Sequence, residues 1–147
     1  MRFMIIRKAD ADTEAGAMPP QGLFEAMIQY NQEMIDAGVM VGGDGLHPSA
    51  RGARIKFHGG KPTVTDGPFA EAKELIAGYT MIEVGSREEA LEWVKRWPAL
   101  DGDGEVELEL RQVISADDWG DALTPELRAQ EERQEEQLQA RAAAQQR

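Results

Sequence analysis

The chain has 147 residues and a formal net charge of −11, enough length for one domain with a real core and too little for two of ordinary size. An acidic chain without a basic cluster lacks the footprint that nucleic-acid phosphates or an anionic membrane surface require, so neither is expected as a partner. With no cysteine, a disulfide framework, a thiolate metal site and a thiol nucleophile are all excluded.

Met1 to Lys8 holds a short apolar run closed by two cations, too short for a signal-peptide core. No stretch reaches the length of a membrane span, so a cytoplasmic protein is the default. Arg2 to Lys8 reads as a strand with Phe3 and Ile5 on one face and Met4 and Ile6 on the other, both in need of cover. Ala9 to Ala17 is polar and acidic and reads as a loop. From Gln21 to Ala37, Leu23, Phe24, Met27, Ile28, Met34 and Ile35 return at helical spacing, and Gly38 is placed to end the helix in a left-handed cap.

Val39 to Val41 reads as a short strand broken by Gly42-Gly43-Asp44-Gly45 and resumed at Leu46-His47-Pro48. The glycines are no phosphate loop, because no helix follows to aim its amides at an anion and no Walker lysine is present. A bend at a sheet edge, or a close approach of backbone to a ligand, fits them better. Ala53 to His58 and Lys61 to Thr65 alternate on either side of Gly59-Gly60 and predict a hairpin.

The stretch Thr65 to Tyr79 is the densest in chemistry. Gly67-Pro68 forces a sharp turn after Asp66, Phe69 is left in need of an apolar surface, and Glu71 to Leu75 has the residues for one helical turn before Gly78. Asp66 is either a site carboxylate or a turn residue that satisfies nearby amides. Tyr79 to Val84 is the next strand. Ser86 and Glu89 form a capping box for a helix whose buried stripe is Ala90, Leu91, Val94 and Trp97, stopped by Pro98. Glu105 to Arg111 alternates Val106, Leu108 and Leu110 against acidic residues, as a strand with a solvated face. From Asp117 onward the composition turns to Glu, Gln, Ala and Arg, and Thr124-Pro125-Glu126 starts a long helix that buries little.

The order strand, helix, strand, inserted hairpin, strand, helix, strand gives an α+β class with a ferredoxin-like sheet built from two β-α-β halves. Both helices on one face leave the other face of the sheet open. The doubly apolar first strand then predicts that a second copy covers it, making a homodimer.

Asp66-Gly67-Pro68-Phe69, followed by Ala70 to Glu74 and Gly78-Tyr79, resembles the signature of the YCII-related proteins of the DGPF type, as does Met40 to Leu46. The resemblance runs from about Arg2 to about Gln112, which sets a domain at residues 1–114 and an acidic helical tail at 115–147. It implies a dimeric α/β barrel of two ferredoxin-like subunits and supplies no defined reaction. In the broader group a His-Asp pair is proposed as an acid-base dyad. Asp66 is the motif carboxylate here, and His47, flanked by Gly and Pro, is placed to reach a pocket, whereas His58 ends a hairpin arm and faces solvent.

Three functions compete. A small-molecule enzyme without metal or organic cofactor would use Asp66 and His47 for proton transfer, with Phe69, Lys73 and Tyr79 holding the ligand. A binding module would use the same cleft without turnover. A structural dimer would use the charged turn to lock subunits together. A metal held by His47, Asp44 and Asp66 lacks tight ligand spacing.

Overall fold

The structure, a computed structural model, describes residues 1–147. The chain divides into two compact units, Met1–Val113 and Ile114–Arg147. The first unit contains β1 (Arg2–Lys8), the one-turn helix α1 (Ala11–Glu14), α2 (Gln21–Asp36), β2 (Met40–Gly45), β3 (Ala53–His58), β4 (Lys61–Asp66), β5 (Ile76–Glu83), α3 (Arg87–Val94) and β6 (Leu108–Gln112). Four strands form an antiparallel sheet in the order β2-β5-β1-β6. This is the ferredoxin-like α+β topology that two β-α-β halves produce.

Strand alternation decides where the core lies. Phe3 and Ile5 face Ile82 and Thr80 across the β1–β5 ladder, and Phe3, Ile5 and Ile82 pack with Tyr30, Met34, Val39, Val84 and Ala90 as the core. Tyr30 donates its hydroxyl to the Trp93 carbonyl at 2.7 Å and meets the Trp97 ring edge-on at 5.7 Å; burial pushes its phenol up to about 12. Met4, Ile6, Tyr79 and Met81 occupy the other face of the sheet and are half-buried.

Several local expectations change. Ala11–Glu14 is helical where a loop was expected, because Asp10 and Thr13 close a reciprocal capping box. The glycines expected to break the second strand are its body, with Gly43 opposite Thr80 and Gly45 opposite Gly78. A Cβ on Gly43 would lie 2.7 Å from the Tyr79 carbonyl oxygen, so the missing side chain is what lets β2 close on β5. Leu46-His47-Pro48 does not resume the strand. Gly78 ends no helical turn but pairs within β5, which starts at Ile76. The last strand starts at Leu108 instead of Glu105, after a kink at Gly102, Asp103 and Gly104, all at positive φ.

The hairpin β3–β4 pairs only with itself. Its register sets Ala53 against Asp66, Ile55 against Val64 and Phe57 against Pro62, so these residues share one face. All twelve residues of the two strands are exposed. The turn that follows is clasped to the domain. Gly67 N–H donates to the Gly52 carbonyl at 2.9 Å, and Phe69 N–H donates to Ser49 Oγ at 3.0 Å. Ser49 in turn donates its N–H, at 3.0 Å, and its hydroxyl to the Glu14 carboxylate. The Arg54 guanidinium lies 4.0 Å over the Phe69 ring. A Cβ on Gly67 would fall 1.8 Å from the Ser49 carbonyl oxygen, so the motif glycine is required by contact.

A buried polar network fastens the segment after α3 to the end of β1. Arg7 donates from Nε and Nη2 to Asp101 at 3.1 and 2.6 Å, and from Nη1 to Asp10 at 2.9 Å and the Lys8 carbonyl at 2.7 Å. Trp97 Nε1 donates to Asp101 at 2.9 Å. Burial alone would push the Asp101 carboxyl up, but the hydrogen bonds from Arg7 and Trp97 outweigh it and hold it below the usual range. Asp10 is held low in the same way, its burial outweighed by Thr13 and Arg7.

In the second unit, a 3-10 segment at Ala116–Ala122 precedes α4 (Pro125–Gln145), capped by the Thr124 hydroxyl. Arg128 pairs with Asp117 at 3.0 Å. No residue of α4 is buried.

Gly67→Ala should disrupt the clasp, and Ser49→Ala, which removes two hydrogen bonds, should cost about 1–2 kcal/mol in urea unfolding. Asp101→Asn should cost about 3 kcal/mol, since it deprives a buried guanidinium of its main partner. Because the folded Asp101 and Asp10 carboxyls are held below their unfolded range, the stability they contribute is present at neutral pH. It is lost as pH falls below about 4, so the urea midpoint should drop there, less steeply in Asp101→Asn.

Candidate functional site

Beneath α2, between the helix and the sheet, lies a cavity of about 270 Å³. It exists because of which residues the strands turn toward the helices. Gly43, Gly45 and Gly78 share that face with Thr80, so three positions that would normally carry core side chains carry none. Met27 and Asn31, one helical turn apart on α2, line it from above, with Met40, Arg7 and Trp97 completing the wall.

Two polar features stand out in this wall. Asn31 contributes to this wall, while its Oδ1 atom is enclosed by protein and has no hydrogen-bond partner. An orphaned buried carbonyl of this kind costs about 1–3 kcal/mol of desolvation unless something donates to it. Arg7 supplies the only charge turned to this side, and four of its five N–H groups are committed to Asp101, Asp10 and Lys8.

Asp44 and Tyr79 border the same hollow through their backbone, but their side chains point to the opposite face, where they sit directly opposite in the ladder. Tyr79 donates to Asp44 Oδ2 at 2.9 Å. That hydrogen bond raises the phenol above its ordinary range, so Tyr79 stays protonated and acts as a donor, while Asp44 keeps its second oxygen free to accept.

The residues singled out from the sequence are distributed differently. Asp66 ends β4 on the apolar face of the hairpin, exposed, with its carboxylate unpartnered. His47 is exposed, its ring Nε2 lying 3.1 Å from the Arg51 guanidinium. The two share no hydrogen bond, and neither lines the cavity. Phe69 is half-buried beneath Arg54. Lys73 is exposed on the 3-10 turn Ala72–Glu74 and forms no ion pair. Tyr79 alone of these residues borders the hollow.

Asn31, Thr80 and Arg7 went unnoticed as site residues. Asn31 could have been found as a polar residue beside Tyr30 and one turn from Met27 in an otherwise apolar stripe. Arg7 could have been found as a cation on the same strand face as Phe3 and Ile5. No three His, Asp or Glu side chains converge as a metal-binding group, and no helix is long and apolar enough to cross a membrane.

Comparison with known proteins identifies the domain. An uncharacterised protein of Rhizobium meliloti (strain 1021) is 33% identical over 64 residues, covering 44% of this chain and 52% of that protein, so the chain spans about half the length of this curated relative. Among solved structures, 5-chloro-2-hydroxyhydroquinone dehydrochlorinase from Burkholderia phenoliruptrix AC1100, in complex with 2,5-dihydroxybenzoquinone, is similar with a TM-score of 0.45 and 14% identity, over 80% of this chain and 97% of that one. The YCII-related domain matches residues 1–114, most of the chain and all of its sheet, and the protein therefore belongs to the YCII-related family.

Proposed function

We propose that this protein is a small-molecule-binding homodimer that takes one ligand per chain in the cavity beneath α2, without a cofactor. Its setting on this reading is the cytoplasm, with neither nucleic acid nor membrane as partner. The observation that carries the reading is the glycine-floored hollow lined by Met27, Met40, Thr80 and Trp97. A fold that tolerates an empty volume gains from a ligand that fills it.

Support for the dimer comes from the hairpin. A two-stranded ribbon is marginal in water by itself, and here Ile55, Phe57 and Val64 are 54%, 66% and 63% exposed on one face. A second copy that covers this face would also give cover to Met4, Ile6 and Met81 on the open side of the sheet. Asp44, oriented by Tyr79, is on that side the carboxylate available for cofactor-independent proton transfer.

Binding without turnover is the second reading, favoured by the position of both histidines outside the cavity lining. The pair Asp66 and His47, with Phe69 and Lys73, is the competing site, and it calls for a rearrangement on dimerisation to bring the two together.

A fragment screen by thermal shift separates the two sites. Met27→Trp, which fills the hollow, should abolish the stabilising hits of the wild-type protein, while Asp66→Asn and His47→Ala keep them. Hits that survive Met27→Trp and vanish in Asp66→Asn would transfer the site to the hairpin turn. Light scattering should give twice the chain mass for the wild type and a monomer for Phe57→Asp; a monomeric wild type removes the dimer.

A further inference from the structure

We infer that the cavity beneath α2 selects a small, largely apolar molecule that carries a carbonyl-type hydrogen-bond acceptor, held by the hydroxyl of Thr80 and the side-chain amide nitrogen of Asn31. The inference rests on the proposal that this cavity is the ligand site and adds the polarity that the ligand must have.

The Thr80 hydroxyl borders the space that the glycines leave. Thr80 stands opposite Gly43 in the β2–β5 ladder, and a Cβ on Gly43 would lie 3.4 Å from Thr80 Oγ1. The absent side chain is thus the one that would have covered this oxygen. Among the fully enclosed side-chain polar atoms, Asn31 Oδ1 alone lacks a hydrogen-bond partner. The Thr80 hydroxyl and Asn31 Nδ2 make no hydrogen bond to the protein either, so they do not belong to the enclosed set and keep surface open to a ligand in a cavity that both residues line.

The side chains of the wall set the polarity. An amide nitrogen can only donate, and a threonine hydroxyl can donate as well as accept. Trp97 Nε1 is spent on Asp101 at 2.9 Å, and the one N–H that Arg7 leaves uncommitted is again a donor. The Asp44 carboxylate is turned to the opposite face, where Tyr79 donates to it. A carbonyl oxygen, with two lone pairs, can accept from both Thr80 and Asn31. A hydrocarbon of the same shape makes the same contacts with Met27, Met40 and Trp97 but strips water from the two donors and leaves them unpaired, so the acceptor decides between the two. The volume, about 270 Å³, lies just under the range of roughly 300–1,000 Å³ common for drug-sized ligands, which points to a small one.

Calorimetric titration of the full chain with acetophenone and α-methylstyrene tests this. The two share a ring and a shape and differ in a carbonyl oxygen against a methylene group. The expected result is that the ketone binds roughly tenfold or more tighter than the hydrocarbon. Thr80→Val, close in volume and suited to a strand, and Asn31→Leu should each weaken the ketone several-fold and leave the hydrocarbon unchanged; the two sit on different elements, so either one that folds gives an answer. Equal affinity of the wild type for both compounds overturns the inference while leaving the cavity as a site. A preference undiminished in either variant overturns the part assigned to that residue. Failure of both compounds to bind overturns the inference and the proposed ligand site together.

Discussion

The close approach of β2 to β5 is the constraint from which the rest of the domain follows. With Gly43 set so that any Cβ would sit 2.7 Å from the Tyr79 carbonyl, the two strands can pair tightly only if this position has no side chain. The same absence, repeated at Gly45 and Gly78, removes from the core the atoms that would fill the space under α2. Tight backbone pairing and an empty volume are thus one feature seen from two sides. A β-branched residue suits a strand by propensity, yet would fail here on both counts, since it would push β2 away and occupy the hollow.

An empty volume in a small core weakens it, and the Arg7 network shows how the domain keeps its shape around one. Arg7 comes from β1, Asp101 and Trp97 from the segment after α3, and Asp10 from the start of α1. Their hydrogen bonds tie together three pieces of chain, two of which border the cavity, at Arg7 and at Trp97. The charges cost desolvation, as the upward pressure of burial on Asp101 records, and the bidentate geometry offsets it. The network therefore works less as a source of stability than as a specification of position: a guanidinium that donates four of its five N–H groups to its own protein is fixed as a wall.

Much of the fold was legible in the sequence, and the reason is periodicity. Phe3 and Ile5, the span of α2, the Ser86 cap and the Gly59-Gly60 hairpin each follow from local spacing, and their order dictates the ferredoxin-like sheet, although Phe24, Ile28 and Ile35 of the α2 stripe are exposed and Tyr30 and Met34 are the buried residues of the helix. The site was less legible because its determinants are not local. Gly42 to Gly45 read as a break from propensity alone; that they form a strand depends on β5 arriving alongside. Asp66 drew attention by its place in a dense motif, whereas the cavity is bordered by residues that look ordinary in sequence, among them Asn31 on a helix stripe and Thr80 in a strand. What distinguishes these is the loss of neighbours around them, which no spacing rule reports.

The motif turn then has a structural meaning of its own. Gly67 is pressed against the Ser49 carbonyl, Phe69 is held through Ser49 by Glu14, and Arg54 closes over the ring. These contacts fix the base of a hairpin whose apolar face is bare. Asp66 stands at the edge of that face beside Ala53. If a second chain covers Ile55, Phe57 and Val64, the carboxylate either stays at the wet rim or receives a donor from the covering surface, because burying it alone is too costly. The position of this one charge therefore limits how far a docked surface can extend: across the apolar residues toward Phe57, and no further past Asp66 than its own cations or amides allow.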